Sequence, residues 1–182
     1  MKENSKNKLI KLCIAAMFAA LICVATMLIR IPTPVGGYVN FGDCFILVAA
    51  WVLGPAYGFA AGGIGSALAD LFSGYYQYVP ITFVVKGLIA LAAALIAGAV
   101  TKKLGAKYML LGHAIGAFAG EVIMVLGYYL CESTVLGYGF AGAFAGVLGN
   151  TVQGVFGCVL GVVLAFVLAK TKVFSRVDTY AV

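Results

Sequence analysis

Three ionisable residues stand in otherwise apolar sequence between positions 36 and 87. Asp43, Asp70 and Lys86 are set among runs of Ala, Ile, Leu, Val and Gly, in a stretch that also contains Gly-Gly, Gly-Pro and several tyrosines. A charge in the hydrocarbon core of a bilayer is costly, so such residues usually pair with one another, face a cavity or handle a ligand. The stretch is therefore predicted to contribute to a binding site.

Polar residues also interrupt two later apolar segments. With a rise of ~1.5 Å per residue, Glu121 is expected about 15 Å below the outer end of its helix, Asn150 about as deep in the next one, and Lys86 about 9 Å down its own. Gln153 follows Asn150 by three positions and so shares its helix face. These four residues are predicted to contact a small polar ligand. In the alternative, Lys86 only neutralises Glu121 or Asp70, and Asn150 only joins helices.

Asp70 receives the opposite interpretation. Ser66 and Ser73 lie one turn before it and one turn after it in the sequence, so their hydroxyls are expected to satisfy its carboxylate. The sequence therefore predicts a structural role for Asp70.

Tyrosines gather in or beside three segments that are predicted to face the outside. They are Tyr38, Tyr75, Tyr76, Tyr78, Tyr128, Tyr129 and Tyr138. Such tyrosines form either an aromatic belt at the membrane surface or the rim of a ligand site, where their rings stack on a planar solute. Tyr38 and Tyr128 are predicted to contact ligand, together with Asn40 near Tyr38.

Composition identifies the solvent of this chain. Its 182 residues are 64% hydrophobic and 10% charged, with a mean hydropathy of +1.10, whereas soluble domains carry about 25% charged residues. The net charge of +6 comes largely from short basic clusters at the ends of apolar runs, an arrangement typical of cytoplasmic loops rather than of nucleic-acid binding. The clusters comprise Lys2, Lys6, Lys8 and Lys11; Lys102, Lys103 and Lys107; and Lys170, Lys172 and Arg176.

These clusters predict an all-α integral membrane protein with six transmembrane helices in a single domain, residues 1–182. Both termini are expected in the cytoplasm of a multi-pass protein of the bacterial cytoplasmic membrane, with a ligand cup open to the outside. A span needs about 20 helical residues, and the Gly54-Pro55 pair divides an overlong segment into two helices. The predicted spans are 9–29, 44–53, 56–72, 81–100, 109–131 and 140–169.

Small residues indicate how these helices pack. Gly112, Gly116 and Gly120 repeat every four residues, which lets helix backbones approach closely. Packing within the chain is the preferred interpretation, with oligomer contact as the alternative. Two overlapping A-x-x-x-A pairs in the first helix, formed by Ala15, Ala16, Ala19 and Ala20, fit internal packing and a partner interface equally well.

The sequence contains none of the patterns expected of an enzyme. The five cysteines show no C-x-x-C spacing, the single histidine, His113, is predicted to be a packing residue, and no G-x-x-x-x-G-K-[ST] phosphate loop occurs. We therefore predict no catalytic residue, metal or cofactor, and expect any ATP-driven work to be done by another protein.

Two runs of the sequence resemble a known family, and the resemblance extends over essentially the whole chain. They are IPTPVGGYVNFGDCFIL (31–47) and GPAYGFAAGGIGSALADLFSGYYQYVPITFVVKGL (54–88), and they closely resemble the substrate-binding S components of energy-coupling factor (ECF) vitamin importers. The resemblance implies a six-helix protein that captures a vitamin or precursor outside. The resemblance further implies that the protein docks on a shared transmembrane coupling subunit, which carries two ATP-binding subunits. The docking face would consist of Ala15, Ala16, Ala19 and Ala20.

The resemblance also implies a lid over the site, at 31–42, and it leaves the substrate open. The chain is most similar to members that take hydroxymethylpyrimidine or pyridoxine, while Lys86 leaves an anionic ligand such as pantothenate open. The alternative function is a self-sufficient, proton-coupled transporter or channel that oligomerises through its glycines and uses Glu121. The sequence shows no clear inverted repeat of the kind common in such transporters.

Overall fold

The described part of the chain forms six α-helices and one short β-hairpin. A computed structural model describes residues 5–33 and 36–171, so Lys2, Lys172 and Arg176 of the predicted basic clusters lie outside the described residues, as do lid residues 34 and 35. The helices are α1 Ser5–Leu28, α2 Gly42–Leu53, α3 Pro55–Ser73, α4 Val79–Leu104, α5 Met109–Thr134 and α6 Gly139–Lys170. The strands are β1 Arg30–Pro32 and β2 Tyr38–Asn40, and a short 3-10 turn, Ala106–Tyr108, precedes α5.

Four of the helices are long and apolar enough to cross a membrane: Asn7–Leu28, Val79–Leu104, Ala106–Thr134 and Gly139–Lys170. Helix α2 has 12 residues and is about 18 Å long, which is shorter than the ~30 Å hydrocarbon core. The helical, membrane-embedded character is thus confirmed. The count of six spans and the placement of both termini in the cytoplasm stay predictions.

The short helix α2 lies at the centre of the bundle, against α1, α3, α4 and α6. Ten of its 12 residues are buried, as expected for a helix that is apolar on every side. It ends at Gly54, whose φ of 79° favours glycine, and Pro55 begins α3. The break between α2 and α3 therefore lies at the Gly54-Pro55 pair, where the sequence predicted it.

The glycine ladder of α5 packs against α4. A Cβ atom on Gly116 would lie 2.6 Å from the Ala93 carbonyl oxygen, and one on Gly112 would lie 2.9 Å from that of Ala97. No real Cβ atom tolerates such a distance from backbone, so glycine is required for this helix approach. For α5 the ladder is explained by packing within the chain.

The predicted lid segment contains the β-hairpin, which the sequence did not indicate. Strands β1 and β2 are antiparallel, with Arg30 opposite Asn40 and Pro32 opposite Tyr38. The hairpin connects the C-terminal end of α1 to the N-terminal end of α2. The chain direction puts the end of α3, the start of α4 and the end of α5 at this same end of the bundle, with Lys102, Lys103 and Lys107 at the other.

Candidate functional site

A polar pocket lies under the hairpin, between the helices. It contains about 430 Å³ of empty space, including the part that opens to solvent. Six of the seven residues predicted to bind ligand are lining residues, the exception being Glu121. The lining is Thr26, Thr33, Gly37, Tyr38, Asn40, Ser66, Asp70, Tyr78, Thr82, Lys86, Tyr128, Glu132, Asn150 and Gln153.

Lys86 forms a buried ion pair at the floor of this pocket. Its Nζ atom lies 2.5 Å from Asp43 Oδ1, with the two side chains 3% and 1% exposed. Asp43 occupies the first turn of α2, where the helix dipole favours a negative charge. The alternative interpretation of the sequence paired Lys86 with Glu121 or Asp70, whereas the structure pairs it with Asp43. Asp43 holds the position because α2 begins directly beside the Lys86 side chain.

Gln153 connects this ion pair to the hairpin. Its Nε2 atom donates to Asp43 Oδ2 at 2.6 Å, and its Oε1 atom accepts from the backbone N–H of Asn40 at 2.7 Å. Asn40 Oδ1 in turn accepts from the backbone N–H of Gly42 at 2.9 Å, at the start of α2. A single amide on α6 thereby fixes both the lid strand β2 and the charged floor.

Two tyrosine-carboxylate pairs flank the pocket above the floor. Tyr38 on the hairpin donates to Asp70 Oδ1 on α3 at 2.6 Å, and Tyr78, just before α4, donates to Glu132 Oε1 on α5 at 3.2 Å. Burial, reinforced by the neighbouring carboxylate, raises the pKa of Tyr38 and that of Tyr78. Both phenols therefore stay neutral and act as hydrogen-bond donors.

Asp70 is a lining residue rather than a purely structural one. Its predicted partners do not bind it: the hydroxyls of Ser66 and Ser73 have no hydrogen-bond partner among residues 5–33 and 36–171. The prediction followed helix spacing along α3, whereas the partner of Asp70 is Tyr38, which comes from the hairpin. Spacing within one helix does not report what a loop above it supplies.

Tyr128 and Asn150 complete the lining, on α5 and α6. The Tyr128 hydroxyl lies 3.0 Å from Thr82 Oγ1, and the Tyr128 ring lies 5.6 Å from Lys86 Nζ, within the range of a cation-π contact. Asn150 is 9% exposed and lines the pocket. Within the described ranges its amide has no hydrogen bond to protein, so both its donor and its acceptor are available to a ligand.

Glu121 does not line this pocket, contrary to expectation. It is 4% exposed and packs against Gly154 and Gly157 of α6. Neither of its carboxylate oxygens has a hydrogen-bond partner within the described part of the chain. A Cβ atom on Gly157 would lie 2.8 Å from Glu121 Oε1 and 2.9 Å from Asp43 Cβ, so Glu121 sits behind the ion pair. Its predicted approach to Asn150 is replaced by this contact with glycines, and it borders a separate apolar groove between α5 and α6.

Among the lining and floor residues that were not assigned to the ligand site from sequence are Asp43, Tyr78, Thr82 and Glu132. Tyr78 belongs to the tyrosine set whose clustering indicated a rim, and Asp43 is one of the charges that identified the stretch. Glu132 was placed in a turn, but α5 continues to Thr134 and keeps the Glu132 side chain inside the bundle, at 2% exposure. Thr82 carried no sequence signal beyond its polar type.

A second concave surface, the alanine groove, lies between α1 and α3. It has about 1010 Å³ of empty space and an almost wholly apolar lining, with Ala16 and Ala20 exposed, Ala19 half-buried and Ala15 buried. The remaining lining residues are Leu12, Ala56, Tyr57, Ala60, Ala61, Ile64 and Leu68. The four alanines predicted to meet a coupling subunit thus share one groove.

Comparison with known proteins explains this combination of a polar pocket and an apolar groove. Residues 6–170 match the family model described as "ECF-type riboflavin transporter, S component". The chain belongs to this family. S components are substrate-binding subunits of vitamin transporters and not enzymes, and partner subunits hydrolyse the ATP. The family assignment favours this role over a self-sufficient exchanger.

Two relatives align with most of the chain. The chain is 40% identical over 150 residues to an "Uncharacterized protein in gap 3'region" of Pyrococcus woesei, covering 82% of this chain and 95% of that one. It is 27% identical over 172 residues to the "Thiamine precursor transporter HmpT" of Lactococcus lactis subsp. cremoris (strain MG1363), covering 93% and 89%.

A solved structure shows that the fold is that of an S component. The structure, reported under "Structure and mechanism of the S component of a bacterial ECF transporter", matches with a TM-score of 0.66 and 20% identity, covering 90% of this chain and 98% of that one. At this identity the match concerns the fold alone.

His113, which was predicted to be a packing residue, is not among the lining residues of the polar pocket. Its ring stacks on that of Trp51, with ring centroids 4.3 Å apart.

Proposed function

We propose that this S component captures a small vitamin or vitamin precursor in the polar pocket and delivers it through an ECF module. The observation that carries the proposal is the buried polar pocket beneath the hairpin, in which the Asn150 amide is uncommitted while Tyr38, Tyr78 and Gln153 are held in place by hydrogen bonds. Such a site recognises a ligand by a few directed hydrogen bonds.

A single-ring heterocycle suits this pocket best, and hydroxymethylpyrimidine or a pyridoxine-like compound is the proposed ligand. The family model is described for riboflavin, a larger fused-ring compound, and a single ring demands less room in the small pocket beneath this hairpin. The relative named as a thiamine precursor transporter supports the smaller ring. Fold alone does not name the ligand, so this choice depends on the size and chemistry of the pocket.

Six of the predicted residues have distinct roles in this proposal. Tyr38 and Tyr128 bound the ring plane from the lid and from α5, and Asn150 hydrogen-bonds the ring edge. Lys86, Gln153 and Asn40 hold the floor and attach the lid to it. Glu121 is not assigned a ligand contact, because Gly157 and the Asp43 side chain separate it from the lining.

The pocket is proposed to open to the outside of the bacterial cell membrane. Lys102 and Lys103 lie in the last turn of α4 and Lys107 in the short turn before α5, at the end of the bundle opposite the hairpin. Loops rich in Lys and Arg stay in the cytoplasm. The chain is accordingly a multi-pass protein that takes its ligand from the outer side.

The alanine groove is the proposed docking site for the transmembrane coupling subunit, which carries two ATP-binding subunits. Small side chains along a helix allow a partner helix to approach closely in the membrane. Ala16 and Ala20 are exposed in the groove, so they are available for such a contact. No nucleic acid takes part in this function.

Native mass spectrometry of the purified protein tests the proposal. We expect a retained small molecule with the mass of a single-ring heterocycle, and we expect added hydroxymethylpyrimidine to exchange with it. A retained mass equal to riboflavin would overturn the proposed ligand. Transport by the purified chain alone in liposomes would overturn the proposed dependence on an ECF module.

A further inference from the structure

Both carboxylates of the pocket wall have one oxygen without a partner. Asp70 Oδ1 accepts from Tyr38 and Glu132 Oε1 accepts from Tyr78, whereas Asp70 Oδ2 and Glu132 Oε2 have no hydrogen bond to any described residue. The two side chains are 4% and 2% exposed. A buried carboxylate oxygen without a donor is costly, so these two positions call for a donor from outside the chain.

The nearest protein donors leave these oxygens only partly satisfied. Thr82 shares a hydrogen bond with Tyr128 in which either hydroxyl can donate, so the donor that Thr82 offers to Asp70 is shared with Tyr128. Lys86 is held 2.5 Å from Asp43 and is therefore already neutralised by a carboxylate outside the lining. The tyrosines have one hydroxyl proton each, and it is directed at the other oxygen of each carboxylate. A ligand N–H or hydroxyl group can supply the donor that these two oxygens lack.

The charge of the lining leads to the same conclusion. The pair formed by Lys86 and Asp43 has no net charge, which leaves Asp70 and Glu132 as the acidic groups that face the ligand. An anionic ligand would place a third acid next to them. A ligand rich in N–H groups would instead form charge-assisted hydrogen bonds, which are among the stronger ones in proteins.

We propose that Asp70 and Glu132 are the specificity-determining residues of this pocket, an inference that rests on the proposed function. The two residues select an amino-substituted heterocycle over its oxo-substituted counterpart. The amino group donates to one free carboxylate oxygen, and a ring N–H or hydroxyl group donates to the other. An oxo group at the same ring position presents an acceptor to an acceptor, so the site rejects it. This excludes pantothenate and other anions as preferred ligands.

The selectivity is measured first on the unmodified protein, with two probes of nearly equal size. They are 4-amino-5-hydroxymethyl-2-methylpyrimidine and the 4-oxo compound of the same skeleton, each titrated by calorimetry in detergent. We expect the amino compound to bind at least about tenfold more tightly, since hydrogen bonds to a charged group contribute roughly 1.5–3 kcal/mol. Equal affinities would overturn the inference and leave the proposed function intact. Binding of neither compound by folded protein would overturn the proposed function as well.

The second measurement assigns the selectivity to the two carboxylates. Asp70→Asn and Glu132→Gln each keep an oxygen for the tyrosine and turn the free oxygen into a donor. We expect each to reduce the preference for the amino compound by about tenfold, through weaker amino binding and unchanged or tighter oxo binding. A purely structural role would weaken both compounds equally, and that result would contradict the assignment.

Glu121→Gln is the matched control for Glu132→Gln. It makes the same substitution on the same helix, at a buried acid that lies outside the pocket lining. We expect the ratio of the two affinities to stay within about twofold of the parent value, whatever happens to stability, since Glu121 meets no ligand atom. A shift equal to that of Glu132→Gln would show that the ratio reports total acidity rather than contact.

Discussion

The polar pocket and the alanine groove belong to the same small bundle and are built from different kinds of residue. The pocket is lined by buried acids, amides and phenols whose hydrogen bonds fix their directions. The groove is lined by alanines and larger aliphatic residues without directed polar groups. Directed groups discriminate among ligands, whereas small apolar residues only demand a matching shape. A subunit that chooses its own ligand and shares its coupling module needs one surface of each kind.

The largest effect is expected from removing the cation of the pocket floor. Lys86→Met leaves Asp43 buried without its counter-ion, which should lower the free energy of unfolding by about 3–5 kcal/mol. Chemical unfolding in detergent, followed by tryptophan fluorescence, measures it. Adding Asp43→Asn to the same chain should recover part of the loss, because it removes the uncompensated charge. Unchanged stability of the single variant would show that the floor does not depend on this pair.

A bulky residue in the groove should separate docking from ligand binding. Ala20→Leu adds side-chain volume where a partner helix must approach. Overpacking of this kind typically costs about 1–3 kcal/mol. Co-purification with the coupling subunit should therefore fall at least about tenfold. Ligand affinity should stay within about threefold. Ala141→Leu, at an exposed position near the start of α6, is the control and should affect neither. Loss of both docking and binding in Ala20→Leu would indicate a folding defect and contradict the separation.

The requirement for glycine at position 157, behind the pocket floor, can be tested by adding one methyl group there. Gly157→Ala would bring a Cβ atom within 2.9 Å of Asp43 Cβ, and we expect the thermal midpoint to fall in line with a loss of about 1–3 kcal/mol. Gly98→Ala, in α4, meets nothing within 4 Å. It should stabilise the chain by up to about 1 kcal/mol. Equal effects of the two substitutions would mean that the contact behind Asp43 is not tight.

The smallest of these effects concerns the uncommitted amide. Asn150→Ala removes a hydrogen bond that exists only with ligand bound, so the dissociation constant for 4-amino-5-hydroxymethyl-2-methylpyrimidine should rise about fivefold to tenfold. Stability without ligand should barely change. Titration calorimetry measures the first quantity and thermal unfolding the second. An affinity within about threefold of the parent would place the ligand elsewhere.

The sequence predicted depth along the helices better than rotation about them. Residue counts correctly put Lys86 and Asn150 near the pocket and placed the break at Gly54-Pro55, because rise and glycine or proline preferences are local properties. They did not show which way Glu121 faces, since this depends on the glycines of α6 that pack against it. The partner of Lys86 was likewise missed, because Asp43 is 43 positions away and reaches it only after α2 folds into the bundle.

The two hydrogen bonds of Gln153 bear on how the predicted lid would open and close. When the hairpin lifts, the 2.7 Å hydrogen bond from the Asn40 backbone to Gln153 Oε1 must break, but the hydrogen bond from Gln153 Nε2 to Asp43 does not depend on the hairpin. The amide oxygen thus keeps its orientation while the lid is open. If the hairpin acts as the predicted lid, on closing it meets an acceptor already in position, so closure needs no search by the Gln153 side chain.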